Sequence, residues 1–387
     1  MSKNNLSNKV ILPGSTIGII GGGQLGRMMA IAAKQMGYKI AVLDPKKNSP
    51  TGQIANVEIV ANYSNFRAVR KLAQHCDVIT YEFENVCPDV LEWLEENSYL
   101  PQGSRLIKVT QDRFYEKEEI VKSGVKVAPY QSVNSEDTLF EAIELVGLPA
   151  VLKTRQGGYD GKGQCLINSM EDIENAKELL QSGDCILEAF ISFEKEISVI
   201  VNRNKNGDVT CFPVSENKHV NHILLQSIVP ARIEKEIEAK AKAIALTVME
   251  HLDVTGTLAV EMFVCKNGEI FVNELAPRPH NSGHFTLDGC ATSQFEQHIR
   301  AICNWPLGNT ELLKPTIMMN ILGEHLDQIM QHIPKLQTSK LHLYGKEEIK
   351  PNRKMGHLNF IGEDIEKIRM EIESLGIWQL SESLVNA

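Results

Sequence analysis

The sequence predicts a chain of α/β and α+β character in three parts, and three observations carry that expectation. Strand and helix signals alternate through the first hundred residues. Hairpin-forming strands dominate from Cys185 to Glu274, and a smaller α+β tail follows Trp305-Pro306. Regular alternation implies a parallel sheet covered by helices, whereas tight turns imply antiparallel pairing. A length of 387 residues accommodates two or three domains.

Thr16–Ile20 is a short apolar strand leading into Gly21-Gly22-Gly23. Leu25, Met28, Met29, Ala32, Ala33 and Met36 then recur at helical spacing, Gly37 ends the helix, and Lys39–Leu43 forms the next strand. Phe66–Gln74 predicts a helix and Val78–Tyr81 a strand. Thr110 is a candidate N-cap for a helix over Gln111–Lys122. Gly147–Lys153 and Gln164–Ile167 read as strands around a glycine-dense loop, and Glu234–His251 as a helix interrupting the hairpins. Asn206-Gly207 and Asn267-Gly268 are two-residue turn signals. A last helix is expected over Glu363–Ser374.

Composition narrows the function classes. Forty basic and 49 acidic side chains give a net charge of −9, against the basic face of a nucleic-acid or anionic-membrane binder. The longest uncharged run, Val10 to Gly26, is glycine-rich and shorter than a membrane span. The polar first nine residues lack the pattern of a secretory signal. None of the eight cysteines forms C-x-x-C, which points to reduced thiols in a cytoplasmic protein and away from a zinc ribbon.

Gly21, Gly23 and Gly26 satisfy G-x-G-x-x-G between a strand and a helix, with Asp44 18 residues beyond Gly26. This spacing suits a dinucleotide, another anion at a helix N-terminus, or simply a tight turn, and the loop alone leaves all three open. A sharper constellation lies around the second hairpin. If Asn267-Gly268 is a two-residue loop, Lys266 pairs with Glu269, and Glu261 then faces Glu274 on the same side of the sheet. Two facing carboxylates repel unless a cation lies between them, and magnesium with phosphate oxygens suits such a pair. Lys153 ends a strand before Arg155-Gln156-Gly157-Gly158-Tyr159-Asp160-Gly161-Lys162-Gly163-Gln164, a loop whose free amides and lysines suit phosphate. The strand Ile186–Ile191 offers a backbone edge to an adenine. Asn273-Glu274-Leu275-Ala276-Pro277-Arg278-Pro279-His280-Asn281-Ser282-Gly283-His284 adds an arginine and two histidines beside the carboxylates.

Together, the Lys153 strand with its lid, Glu188-Ala189-Phe190-Ile191, and Glu261 with Asn273-Glu274 resemble the ATP-grasp fold. Within it, Gly22-Gly23-Gln24-Leu25-Gly26-Arg27, Phe83-Glu84-Asn85-Val86, the lid, the Pro277-Arg278-Pro279-His280 segment and Arg353-Lys354-Met355-Gly356-His357 resemble the N5-carboxyaminoimidazole ribonucleotide synthetase family of purine biosynthesis. The likeness covers nearly the whole chain, leaving Met1 to about Pro13 as an unmatched extension. It implies a Rossmann-like N-terminal domain over 1–110, an ATP-grasp domain over 111–305 and a C-terminal α+β domain over 306–387.

The implied reaction joins bicarbonate to the amine of 5-aminoimidazole ribonucleotide through carboxyphosphate, at the expense of ATP. Bicarbonate activation of this kind is similar to that of biotin carboxylase. By the same resemblance Arg113 and Lys153 contact ATP phosphates under Gly158, Tyr159, Asp160, Gly161, Lys162, Gly163 and Gln164. Glu188, Ala189, Phe190 and Ile191 bracket the adenine, Glu196 takes the ribose, and His219, Asn273 and Glu274 lie at the nucleotide. Glu261 and Glu274 hold Mg2+. Arg278 holds bicarbonate, with Lys153 and His280 also at the chemistry and Asp160 the proton acceptor. Gln24, Leu25, Glu82, Tyr159, Asp160, Arg278 and His280 position the ribonucleotide, and Lys346, Arg353 and Lys354 its phosphate. The glycine loop then faces the ribonucleotide instead of NAD, leaving Asp44 without a cofactor role. Small molecules are the expected partners of a homodimer, with no nucleic acid or membrane. Competing readings are a formate-dependent glycinamide ribonucleotide transformylase, an NAD-dependent oxidoreductase and an inactive nucleotide-binding module.

Overall fold

The computed structural model describes residues 10–158 and 162–378. Strands β1 (Thr16–Ile20), β2 (Lys39–Asp44), β3 (Val57–Val60) and β4 (Val78–Tyr81) form a parallel sheet in the order β3-β2-β1-β4. Helices α1 (Gln24–Gln35) and α2 (Phe66–His75) supply its crossovers. The apolar stripe of α1 is buried at Leu25, Met28, Met29, Ala32 and Ala33. Gly37, at φ +88, reverses the chain after it in a conformation that favours glycine.

Helices α3 (Pro88–Asn97), α4 (Arg105–Thr110) and α5 (Arg113–Lys122) lead out of this unit. The helix start expected at Thr110 lies instead at Asp112, whose carboxylate accepts from the Phe114 and Tyr115 amides. Thr110 closes α4, donating its hydroxyl to the Leu106 carbonyl. Asp112 also receives Arg155 in a forked ion pair at 2.8 Å, which ties the start of α5 to the base of the lid.

A second sheet, antiparallel in the order β5-β8-β6-β7, is built from β5 (Tyr130–Val133), β6 (Ala150–Thr154), β7 (Gln164–Ile167) and β8 (Cys185–Ala189). Helices α6 (Glu136–Val146) and α7 (Ile173–Leu180) pack on it. The glycine-dense segment joins β6 to β7, and the Thr154 amide donates to the Gly163 carbonyl at its neck.

The largest sheet holds β9 (Lys195–Arg203), β10 (Val209–Cys211), β11 (Ser215–Val220), β12 (Ile223–Val229), β13 (Gly256–Val264) and β14 (Ile270–Ala276). It is backed by α8 (Lys235–His251) and followed by α9 (Thr286–Gly289) and α10 (Gln294–Ile302). Strands β15 (Thr316–Leu322), β16 (Ser339–Leu343) and β17 (Lys354–Ile361) extend the same sheet, with α11 (Leu326–His332) and α12 (Ile365–Leu375) alongside. Its order is β14-β13-β9-β11-β12-β15-β17-β16, with β10 beside β9. The chain after Pro306 therefore continues the central sheet through the β12–β15 pairing. The Asn206-Gly207 turn is wider than two residues, because Asn204 closes the loop through the Asp208 amide and carboxylate.

The parallel unit is fixed to the central sheet by one apolar cluster, in which Ile17, Met29 and Tyr38 meet Phe295, Ile299 and Ile302 of α10. A polar contact reinforces it. His298 on α10 accepts from the Thr257 amide at 3.2 Å through Nδ1, and its Nε2 meets the Thr80 hydroxyl at 2.8 Å. Thr80 donates to Gln102, so the histidine Nε2 must carry the donor proton and the ring is neutral.

Burial pulls the His298 pKa down to about 3. The unfolded chain takes up this proton near its ordinary value of about 6.5. The contribution to stability is therefore complete above that pH and is lost as pH falls toward 3. Lowering the pH from 6.5 to 5 is expected to cost about 2 kcal/mol through His298, read from urea unfolding curves. His298→Asn should flatten that slope; an unchanged slope would refute the assignment.

Candidate active site

The central carboxylate pair is set by β13 and β14. Glu261 and Glu274 are direct cross-strand partners. The turn between them is not the expected two-residue loop: the Cys265 amide donates to the Glu269 carbonyl at 2.9 Å, and Gly268 takes φ +78. Near the turn the register is consequently displaced by one, with Val264 opposite Ile270. A bulge at Asn273 restores it, since Met262 pairs with Val272 while Glu261 pairs with Glu274. Two departures cancel, and the carboxylates face each other.

The bulge lies on the edge strand of the sheet, where backbone groups need partners from elsewhere. Helix α5 supplies them from one face, at positions spaced three and four apart. Arg113 donates to the Glu274 carboxylate at 3.1 Å. Glu116 accepts from the Leu275 amide and Lys117 donates to the Asn273 carbonyl, both at 2.9 Å. Burial and the Glu274 charge push the Glu116 carboxyl up to about 8.

Lys117 also meets Glu188 at 3.1 Å, and Lys153 meets the same carboxylate oxygen at 3.2 Å. Burial alone would raise the Glu188 pKa, but Lys117 and Lys153 hold it down to about 2. Burial lowers the Lys153 pKa against the opposing pull of Glu188. Glu188, expected beside the adenine, is central in its sheet. Its backbone lies in a ladder between Tyr130 and Val151, and its side chain is the counter-ion of two lysines. The connector beyond the strand begins at Phe190, which is half exposed.

On the other side of the pair, His280 Nε2 lies 3.0 Å from Glu261. Burial, followed by the Arg278 and Lys354 charges, drives the His280 pKa well below its ordinary value. Burial and the neighbouring Glu274 charge raise the Glu261 carboxyl to about 8. That is the signature of a carboxylate pair short of positive charge. The described residues contain no cluster of three or more histidine, cysteine or acidic ligands that could hold a metal. Two carboxylates alone fit Mg2+ when phosphate oxygens and water complete its octahedron.

Arg278 pairs with Glu84 at 2.8 Å, while its buried Nε has no hydrogen-bond partner among the described residues. Beyond it lies the glycine loop. The amides of Gly23 and Gly26 donate to the Glu82 carboxylate, the latter at 2.6 Å, and the Gly22 amide donates to Asp44 at 2.7 Å. The α1 terminus is thus occupied by side chains of the protein itself. Burial raises the Glu82 pKa, although both amides oppose the shift. Asp44 is a structural hub that also accepts from the Tyr63 hydroxyl.

Other expected site residues fall in five groups. Glu196 and His219 stand on β9 and β11 and pair with each other. Gly158 accepts from Arg113 at 3.4 Å, Gln164 reaches His222, and Gly163 takes φ +73, with Lys162 following the segment Tyr159–Gly161, which lies outside the described residues. Gln24 opens α1, but Leu25 buries its side chain in the core, leaving only its backbone for a ligand. Lys346 donates to the Lys354 carbonyl and Arg353 turns to Glu348, while Lys354 lies close enough to Glu261 to lower its pKa. Ala189 ends β8, Ile191 lies in the connector that follows it, and Asn273 is at the bulge. Glu116 and Lys117 escaped sequence reading, although Arg113, Glu116 and Lys117 share a helix face.

Three family models match the chain in succession. The ribonucleotide synthetase preATP-grasp domain matches residues 14–111, the ATP-grasp domain 118–295, and the phosphoribosylaminoimidazole carboxylase C-terminal domain 316–371. The chain is 56% identical to the N5-carboxyaminoimidazole ribonucleotide synthase of Bacillus subtilis, over 92% of this chain and 94% of that one. It superposes with a TM-score of 0.94 on an ADP complex of an N5-carboxyaminoimidazole ribonucleotide synthetase, at 57% identity over 96% and 98% of the two chains. An Aspergillus clavatus N5-carboxyaminoimidazole synthase in complex with ADP and 5-aminoimidazole ribonucleotide superposes at 0.88, with 32% identity over 96% and 98%.

Replacing Glu82 should destabilise the protein without any ligand present, because two buried amides lose their acceptor. Glu82→Ala is expected to cost about 2–3 kcal/mol in chemical unfolding, with Glu82→Gln losing less. A neutral Glu82→Ala would show that the loop holds itself.

Proposed function

The chain belongs to the N5-carboxyaminoimidazole ribonucleotide synthase family of ATP-grasp ligases, and from that premise we propose how its residues divide the work. It catalyses the ATP-dependent carboxylation of 5-aminoimidazole ribonucleotide to N5-carboxyaminoimidazole ribonucleotide in purine biosynthesis. The observation that carries the reading is one cluster of charged and polar groups. Arg113 bonds Glu274, which is the cross-strand partner of Glu261, and Glu261 meets His280, with Lys153 and Arg278 acting on this cluster through their charges.

In this reading bicarbonate is the carbon source. One of its oxygens attacks the γ-phosphorus of ATP, the bond to ADP breaks, and carboxyphosphate forms. Its collapse to CO2 and phosphate delivers the electrophile beside the ribonucleotide amine, which forms the N–C bond and gives up a proton. Lys153 and Arg113 hold phosphate oxygens, and Glu261 and Glu274 hold Mg2+, which would offset charge on those oxygens. Arg278, whose Nε has no hydrogen-bond partner among the described residues, holds the bicarbonate or carboxyphosphate oxyanion. The glycine-rich loop from Gly158 to Gln164 is assigned to the nucleotide phosphates, a place from which water must be excluded because an exposed acyl phosphate hydrolyses. Phe190 and Ile191 border the adenine, with Glu196 and His219 at the ribose. Asp160 accepts the amine proton and Tyr159 orients the base.

Gln24, the Leu25 backbone, Glu82 and His280 position the ribonucleotide, and Lys346, Arg353 and Lys354 take its phosphate. Arg278 reaches toward Glu84 and the Glu82 loop, which supports a second substrate between the parallel unit and the central sheet. We extend the reading to a cytoplasmic homodimer. Eight free cysteines and the absence, among the described residues, of a helix long and apolar enough to cross a membrane support the first part. Family resemblance supports the second.

ADP release should require both aminoimidazole ribonucleotide and bicarbonate. Stimulation by formate with glycinamide ribonucleotide would instead indicate a transformylase. With 18O-labelled bicarbonate, the released phosphate should carry label; unlabelled phosphate would exclude carboxyphosphate. Glu274→Ala is expected to lower kcat by at least about a hundredfold, on the scale of losing a preorganised electrostatic contact. Native turnover in that variant would remove the metal assignment.

A further inference from the structure

Lys117 has no place in the reaction just described, yet it is 1% exposed and ion-paired in the middle of the nucleotide side. Burying a lysine is costly unless its charge is met, so its partners define its purpose. They are the Glu188 carboxylate, 3.1 Å away, and the Asn273 carbonyl, 2.9 Å away. Glu188 is 4% exposed and is shared with Lys153 through the same oxygen.

We propose that Lys117 is a positioning residue that neutralises Glu188 and so leaves the charge of Lys153 available to nucleotide phosphate. The inference rests on the reading of Lys153 as a phosphate contact. The charge count gives its logic. Two lysines and one glutamate leave one net positive charge, and Lys153 is the more exposed lysine, at 14% of its side chain against 2%. Without Lys117, Lys153 would be the one cation left in ion-pair contact with Glu188 among the described residues, and a salt-bridged lysine is a weaker phosphate ligand. Lys117 has a second task. By holding the Asn273 carbonyl it fixes the bulge that turns Glu274 toward Glu261. One side chain thus links the phosphate lysine to the carboxylate strand.

The alternative is that Lys117 merely fills and satisfies a buried niche, and a charge-swap cycle separates the two. ADP affinity would be measured by calorimetry without magnesium, on Lys117→Met, Glu188→Gln and the double variant, with thermal unfolding as a control for folding. Lys117→Met should weaken ADP binding about tenfold or more, because Glu188 then competes for Lys153. Adding Glu188→Gln removes the competitor and should recover most of that loss, although both variants lower the unfolding midpoint. Lys117→Arg, which keeps the charge, should bind ADP nearer to the native level and shows the effect if Lys117→Met does not fold. A double variant no better than Lys117→Met would overturn the proposal. So would unchanged ADP affinity in Lys117→Met when Lys153→Met has lost it. If Lys153→Met itself binds ADP as the native protein does, the phosphate reading beneath the proposal fails.

Discussion

Two carboxylates that repel each other are held side by side, and much of the active site follows from that constraint. Glu261 and Glu274 face one another because a three-residue turn and a bulge at Asn273 displace the register in opposite senses. In a buried setting such a pair requires nearby positive charge. Arg113 meets Glu274 and Lys153 and Lys354 act at slightly longer range, while His280, held neutral by burial, meets Glu261 without adding a charge. The arrangement is preorganised for a cation and phosphate, because these charges are placed by strands and a helix instead of by a mobile loop.

The same principle resolves the glycine loop in the opposite direction. Its amides point as a dinucleotide fingerprint requires, but Glu82 and Asp44 from neighbouring strand ends already receive them. An anion is indeed bound at the helix terminus, and the chain supplies it. The loop is thereby rigid, and it sets one wall of the space that Arg278 and Glu84 border.

Much of this was legible in the sequence because local signals dictated it. The alternating strands and helices of the parallel unit and the β6–β7 pair around the glycine-dense loop follow from apolar periodicity or turn residues. Where the expectation failed, a non-local partner decided the outcome. Asp112 displaced Thr110 as a cap because it also binds Arg155. The role of Glu188 as counter-ion of two lysines was likewise unreadable, because it depends on Lys117 and Lys153 from other elements. The correct pairing of Glu261 with Glu274 was reached through a wrong turn, since neither the longer loop nor the compensating bulge has a local sequence mark. Lys117 was invisible for the same reason: a lysine on a charged helix reads as solvated until the edge strand it covers is known.

Glu261 and Glu274 are the proposed meeting place of divalent metal and nucleotide phosphate. The most direct test is a crystal structure with ADP and Mn2+, locating the metal by its anomalous scattering. The account predicts manganese bound to both carboxylates and to phosphate oxygens, with Lys153 and Arg113 on the same phosphates. Manganese on phosphate alone, with the two glutamates turned to His280 and Arg113 as they are without it, would contradict it.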